Sequence, residues 1–184
     1  ISDTTDDTLL TAALNASSRA IGKWCKRQFN DSGSASARLY YPLNARLVVV
    51  DDFHTTTGLI VSHDTGDDGT YDETFLTGDY QLEPLNGIRD GEDGWPYQRI
   101  RAVESLTFYG GRRPSVQVTA RWGWAAVPAP VKEATLMLAE EVFKMKDAPF
   151  GVAGFGDFGF VRVRDNPKVA TLVKDYRRIA VRVA

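Results

Sequence analysis

Eight residues near the end of the chain, Gly154-Phe155-Gly156-Asp157-Phe158-Gly159-Phe160-Val161, match both GxGxxG and its longer form GxGxxGxV, and contain Asp-Phe-Gly. The chemistry open to such spacing is phosphate binding. Glycines let backbone N–H groups approach a phosphate, either at a helix N-terminus or beneath a covering hairpin. The surroundings fit neither arrangement. A dinucleotide fingerprint follows a strand and opens directly into a helix, whereas Val161-Arg162-Val163-Arg164 intervenes here. A kinase needs a lysine strand and a catalytic loop downstream, and only 23 residues follow Val161. The stretch reads better as an aromatic-bearing contact segment. Phe150, Phe155, Phe158 and Phe160, with the basic Arg162 and Arg164, are its candidate subunit or partner contacts. A nucleotide-binding enzyme using Gly154 to Gly159 is kept as the alternative from a different functional class.

A second candidate is the acidic run Asp64, Asp67, Asp68, Asp72 and Glu73. An EF-hand-like calcium loop starting at Asp64 puts Gly69 correctly at its sixth position, but Gly66 stands at the second ligand position. Phe75 occupies the twelfth, where a bidentate glutamate is needed. The run is expected to be a solvated hairpin tip, and Asp90, Glu92 and Asp93 a second acidic loop of the same kind. The two histidines, His54 and His63, lack HxxxH spacing, and no GxSxG elbow, Walker loop or CxxC occurs. The single cysteine, Cys25, excludes an internal disulfide and falls on the apolar stripe of a helix, as a buried small hydrophobe would. The residues thus predict no catalytic group, no metal and no cofactor.

The elements that position these residues fall into three zones. A first helix is expected from Thr5 to Phe29, with Thr4 as N-cap and Asp6 and Asp7 in the first turn. Its apolar stripe is Leu10, Leu14, Ile21, Trp24 and Cys25, and the turn formers from Asn30 to Ser34 end it. The period then changes to two. Strands are predicted at 38–41, 46–50, 59–61, 74–76, 80–82, 106–109 and 116–120, with turns at Asn86-Gly87 and Gly110-Gly111. A second helix is expected from Ala129 to Lys146, with a stripe of Val131, Ala134, Thr135, Leu138, Val142 and Met145. Leu136, Met137 and Phe143 lie off that stripe, so this helix should be central. The third opens on Asn166 as N-cap with Pro167 at the first helical position, and Val169, Leu172, Val173, Tyr176 and Ala180 keep helical spacing. The expected fold class is α+β, a three-helix core with an antiparallel β subdomain inserted between helix 1 and helix 2. The helical core is assigned to residues 1–36 and 124–184, and the inserted β subdomain to 37–123.

Composition bounds the rest. With 184 residues, 43% hydrophobic and 25% charged, the chain can bury a sizeable core, and its net charge of −2 does not suit a nucleic-acid reader. No run reaches the ~18 apolar residues of a membrane span and no signal-peptide pattern is visible, so synthesis in the cytosol is expected. The chain opens on Ile1 rather than methionine, which leaves room for residues upstream.

Several phrases together resemble a known family. They are DDTLL and SRAIGKWCKRQF in the first helix, RLYYP and VVVDDF, TGDYQLEPLNG and GWPYQRIRAV. The stretch VQVTARWGWAAVPAPVKEATLMLAEEVFKMKDAPFGVAGFGDFG and the closing NPKVATLVKDYRR are the most specific. Their wording and order resemble the head-to-tail connector (adaptor) proteins of tailed double-stranded DNA bacteriophages over nearly the whole chain. The resemblance implies a non-enzymatic virion protein of the neck, made in the host bacterial cytoplasm. It implies a homo-oligomeric ring, typically of twelve copies, beneath the portal protein, serving as platform for a stopper or tail-side neck protein. Genomic double-stranded DNA would pass through the lumen without sequence-specific binding, and no membrane is involved. Another neck or tail-completion ring protein is the alternative within this class. Family members grip the portal with C-terminal segments, which makes Leu172, Tyr176, Arg177, Arg178, Ile179 and Val181 the candidate portal-binding residues. Twelve copies at −2 each would carry −24, a charge that disfavours adhesion of DNA.

Overall fold

A computed structural model of the chain describes residues 6–103, 106–144 and 166–178. Contacts divide it into two compact units, Ile1–Arg27 with Val127–Ala180, and Gln28–Ala126 with Val181–Ala184. The class is α+β, with strands following the first helix.

In the helical unit α1 spans Asp7–Cys25, α2 spans Ala129–Lys144 and α3 spans Pro167–Val173, continued by a 3-10 turn at Lys174–Tyr176. Helix α1 stops earlier than expected. Lys26 takes a left-handed φ of 54°, and its N–H and that of Arg27 close onto Lys23 and Gly22. This is the usual way of satisfying the last carbonyls, here done by a lysine instead of glycine. The expected cap Thr4 lies outside the described residues; Asp6 stands at the N-cap without a side-chain cap bond. The buried face also differs, running through Ala13, Ser17, Ile21 and Cys25 at four-residue intervals, while Leu10 is 43% exposed. The small side chains at 13 and 17 favour close approach of α2, which packs along α1.

Helix α2 buries Val131, Ala134, Leu138, Ala139 and Val142 and packs against both α1 and α3, but of the residues off its stripe Leu136 stays 61% exposed and Met137 and Phe143 are only half-buried. The start of α3 is as expected: Asn166 Oδ1 accepts from the N–H groups of Lys168 at 3.0 Å and Val169 at 3.1 Å, and Pro167 holds the first helical position.

The β unit holds two four-stranded antiparallel sheets. The first has the order β1 (Ala35–Tyr40), β8 (Val116–Arg121), β4 (Ile60–His63), β5 (Glu73–Phe75). The second has the order β2 (Pro42–Asn44), β3 (Leu47–Phe53), β7 (Tyr97–Ala102), β6 (Tyr80–Glu83). Register sets the inner faces. Val118 sits between Arg38 and Val61, and Ile100 between Val48 and Leu82. Val48, Val50, Phe53, Val61, Phe75, Ile100, Val116, Val118 and Trp122 belong to one core, where each full burial contributes roughly 1.5–3 kcal/mol. The predicted strand at 106–109 does not form. Phe108 is buried, but its N–H bonds Ala45 while that of Tyr109 bonds His63, so no ladder results. Strands β2 and β7 were not anticipated; half of β7, Gln98, Arg99 and Arg101, is polar, and only Ile100 and Ala102 are fully buried.

Candidate functional site

Of the candidate C-terminal contacts, Tyr176 is buried in the helical unit, and its carbonyl accepts from Arg27 Nε at 2.6 Å. Arg178 donates its backbone N–H to the Cys25 carbonyl at 2.9 Å. Arg177 is exposed, with its guanidinium 4.8 Å from the Trp24 ring centroid, and Leu172 is half-buried. Leu172 and Arg178, both half-buried, and the exposed Arg177 are therefore the members of the group with surface to offer. Ile179 and Val181 lie outside the described residues, as do Phe150, Phe155, Phe158, Phe160, Arg162 and Arg164 and the Gly154–Gly159 motif. Cys25 is fully buried with Sγ 3.8 Å from the Val173 carbonyl, and burial pushes its thiol up to about 11 against the opposing influence of Arg27 and Arg177. It has the setting of a packing residue, not of a nucleophile.

The acidic loop after β4 is organised around its own backbone. Asp64 is buried and accepts from the N–H groups of Gly69 at 2.7 Å and Asp68 at 3.3 Å. Asp67 accepts from Arg112 N at 3.2 Å and Arg113 N at 3.1 Å, and these bonds hold its carboxyl below the usual carboxylate range. Arg113 Nη1 in turn donates to the Asp68 carbonyl at 2.8 Å. Asp64 braces the loop from within, while Asp67 and Arg113 staple it to the 110–114 turn. His63, beside them, is buried between Phe75 and Phe108. Its Nε2 accepts the Tyr109 N–H at 2.6 Å, which assigns the ring proton to Nδ1, facing Glu73 at 3.5 Å. Among the described residues no cluster of three or more His, Cys, Asp or Glu could hold a metal ion.

Of two surface features, the first escaped the sequence reading and the second gives form to the acidic loop expected at Asp90, Glu92 and Asp93. On the second sheet, Glu83 of β6 lies across from Arg99 of β7, and Arg101 is two residues further along. The Glu83 carboxylate is 2.6 Å from Arg101 Nε and 3.8 Å from Arg99 Nη1, and both arginine side chains remain 43% exposed. Leu47 and Val49 of β3 stand in the same cross-strand rows, half-buried. The second feature is a tight turn at Arg89–Glu92. Reciprocal backbone bonds of 3.0 and 2.9 Å close it, and Asp90 and Gly91 both have positive φ. The alternation Gln98-Arg99-Ile100-Arg101-Ala102 and the pair Asp90-Gly91 were the available signals. The triad itself needs the β6–β7 pairing, which no short motif encodes.

The sequence matches no protein-family profile and no curated protein. Solved structures do resemble it. A chain in the neck of an empty GTA (gene transfer agent) particle, computed with C6 symmetry, is 15% identical, with a TM-score of 0.55 over 95% of this chain and 80% of that one. A chain in the neck of the native GTA particle, computed with C12 symmetry, is 17% identical, with a TM-score of 0.52 over 94% of this chain and 84% of that one. The likeness is one of fold.

Proposed function

We propose that this chain is a structural neck protein of a phage-like particle, a head-to-tail connector subunit that forms a ring beneath the portal. The observation that carries the reading is the fold likeness to neck chains over almost the entire length of this protein, helices and both sheets together. The C12 symmetry used for the neck of the native GTA particle supports a ring of twelve. In this reading the ring extends the DNA channel and offers its far side to a stopper or tail protein. A net charge of −2 per subunit lets DNA pass without adhering. The exposed Arg177 and the half-buried Leu172 and Arg178, with Ile179 and Val181 beyond them, supply the portal contact, while Tyr176 holds the segment's base in the helical unit.

The test is to mix the purified protein with the portal ring of its own particle, then measure mass and image the product. One added ring layer on the portal is the expected result. A chain that stays monomeric and leaves the portal bare would overturn the connector assignment.

A further inference from the structure

A ring built from identical subunits in head-to-tail contact needs two different, complementary patches on each chain. The β unit carries such a pair. One is the basic row on β7. The single Glu83 carboxylate faces two guanidiniums, so this face keeps one net positive charge. Each guanidinium has five N–H donors, and among the described residues Glu83 is the only acid within ion-pair distance of either. Arg99 and Arg101 stand about 7 Å apart along the strand, flanked by Leu47 and Val49.

The other patch is the turn beyond β6. Asp90, Glu92 and Asp93 are exposed there beside a single cation, Arg89, leaving two net negative charges. The turn is held firmly. Arg89 lies with its guanidinium 4.6 Å from the Trp95 ring centroid and its Nε 3.4 Å from Asp90. Trp95 is itself buried against Trp124 at 5.1 Å and bonded through its N–H to the Gly87 carbonyl at 2.9 Å. Exposed Leu85 and Ile88 flank the acids.

We infer that the acidic turn Asp90–Asp93 of one subunit docks on the Arg99–Arg101 face of the next. The inference rests on the ring reading above. Opposite charge, a fixed backbone on both sides and apolar neighbours on both sides favour a second copy over DNA. A phosphate backbone would use the arginines but leave Leu47, Val49, Leu85 and Ile88 without a partner, and would meet a chain of net −2.

Three full-length proteins test this: wild type, R99E/R101E and E92K/D93K, each checked for an unchanged melting profile. Ring formation on the portal is titrated for each. Both variants are expected to need at least about tenfold more protein than wild type for half-maximal assembly. An equimolar mixture is expected to recover to within about threefold of wild type, because alternating subunits restore every contact in an even-numbered ring. Should R99E/R101E fail to fold, R99Q/R101Q replaces it for the titration, with the same tenfold loss expected. Variants that assemble like wild type, or a mixture that stays as weak as its components, would overturn the inference while leaving the connector reading intact. Normal assembly of R99E/R101E with lost retention of DNA would also overturn it, assigning the arginines to phosphate. A wild-type protein that forms no ring would remove both readings.

Discussion

Gly123 is where the end of β8 meets the segment after α1's exit, and replacing it with alanine should be among the most damaging single changes in the β unit. Its φ is +97°, and a Cβ placed there would lie 1.9 Å from the Asn30 carbonyl oxygen and 2.8 Å from its carbon. These are backbone atoms, so no side-chain rotation relieves the overlap. The neighbouring bonds fix the approach: Gly123 N–H to the Asp52 carbonyl at 2.7 Å, Ser32 N–H to the Trp122 carbonyl at 2.8 Å, and Trp122 N–H to Ser32 Oγ at 3.0 Å. Adopting a left-handed conformation costs an alanine about 1–2 kcal/mol. Displacing the Asn30 backbone adds about 2 kcal/mol, the range seen for overpacking. For a unit of this size the sum should lower the melting temperature by on the order of 15 °C. Gly33 is the internal control. Its φ is +77° but a Cβ would meet nothing within 4 Å, so Gly33→Ala should cost about 1 kcal/mol and on the order of 5 °C. Melting of both variants by circular dichroism measures the two contributions separately. Equal shifts for the two substitutions would refute the steric argument.

Three further outcomes follow from single residues. Cys25 should react with a thiol reagent at pH 8 on the order of 100-fold slower than an unperturbed cysteine, since burial raises its thiol to about 11, and the difference should vanish in denaturant. Fast labelling of the native protein would show that the α1–α3 contact opens. Asp31 is held down to about 2, chiefly by the Arg121 guanidinium and then by the Gly33 N–H. A depressed carboxyl stabilises above its unfolded value and loses that contribution as pH falls, so wild type should melt above Asp31→Asn at pH 6 and converge with it between about pH 4 and pH 2. A gap that persists to pH 2 would rule out the carboxylate as its cause. Finally, Tyr176→Ala should destabilise the helical unit by about 3 kcal/mol, whereas Leu172→Ala should cost about 1 kcal/mol and act on portal binding instead. Equal losses of stability for both would mean that Leu172 is a core residue.

Local signals were legible where one residue performs one backbone task. Asn166 and Pro167 announce a helix start because the cap needs an oxygen acceptor and the first turn needs no N–H, and the structure uses both. The alternation through Val116, Val118 and Ala120 likewise marks a strand whose inner face is buried. Failures came where a partner decides. The apolar count along α1 favours Leu10 and Trp24, yet the buried face runs through Ala13 and Ser17, where a second helix comes close. Phe108 looks like a strand residue and is buried like one, but its hydrogen bonds go singly to different elements. The Glu83–Arg99–Arg101 cluster was invisible for the same reason, being a product of register across two strands.

The charges of the β unit sort into two kinds by what their atoms already touch. Asp64 and Asp67 have their oxygens on backbone N–H groups of the loops they brace, so removing either would loosen a turn and leave amides without acceptors. Asp31 and Arg121 form a side-chain pair that ties the start of the unit to the end of β8. Against these, Arg99 and Arg101 share one carboxylate between two guanidiniums, and the turn at 90–93 holds three carboxylates beside one arginine. A monomer gains little from either imbalance, because exposed pairs contribute well under about 1 kcal/mol and like charges repel. The proposed ring would gain from both, since each surplus is the complement of the other. The charges that stabilise the fold are those already matched, and the unmatched ones are those assigned to the contact between copies in the ring proposed above.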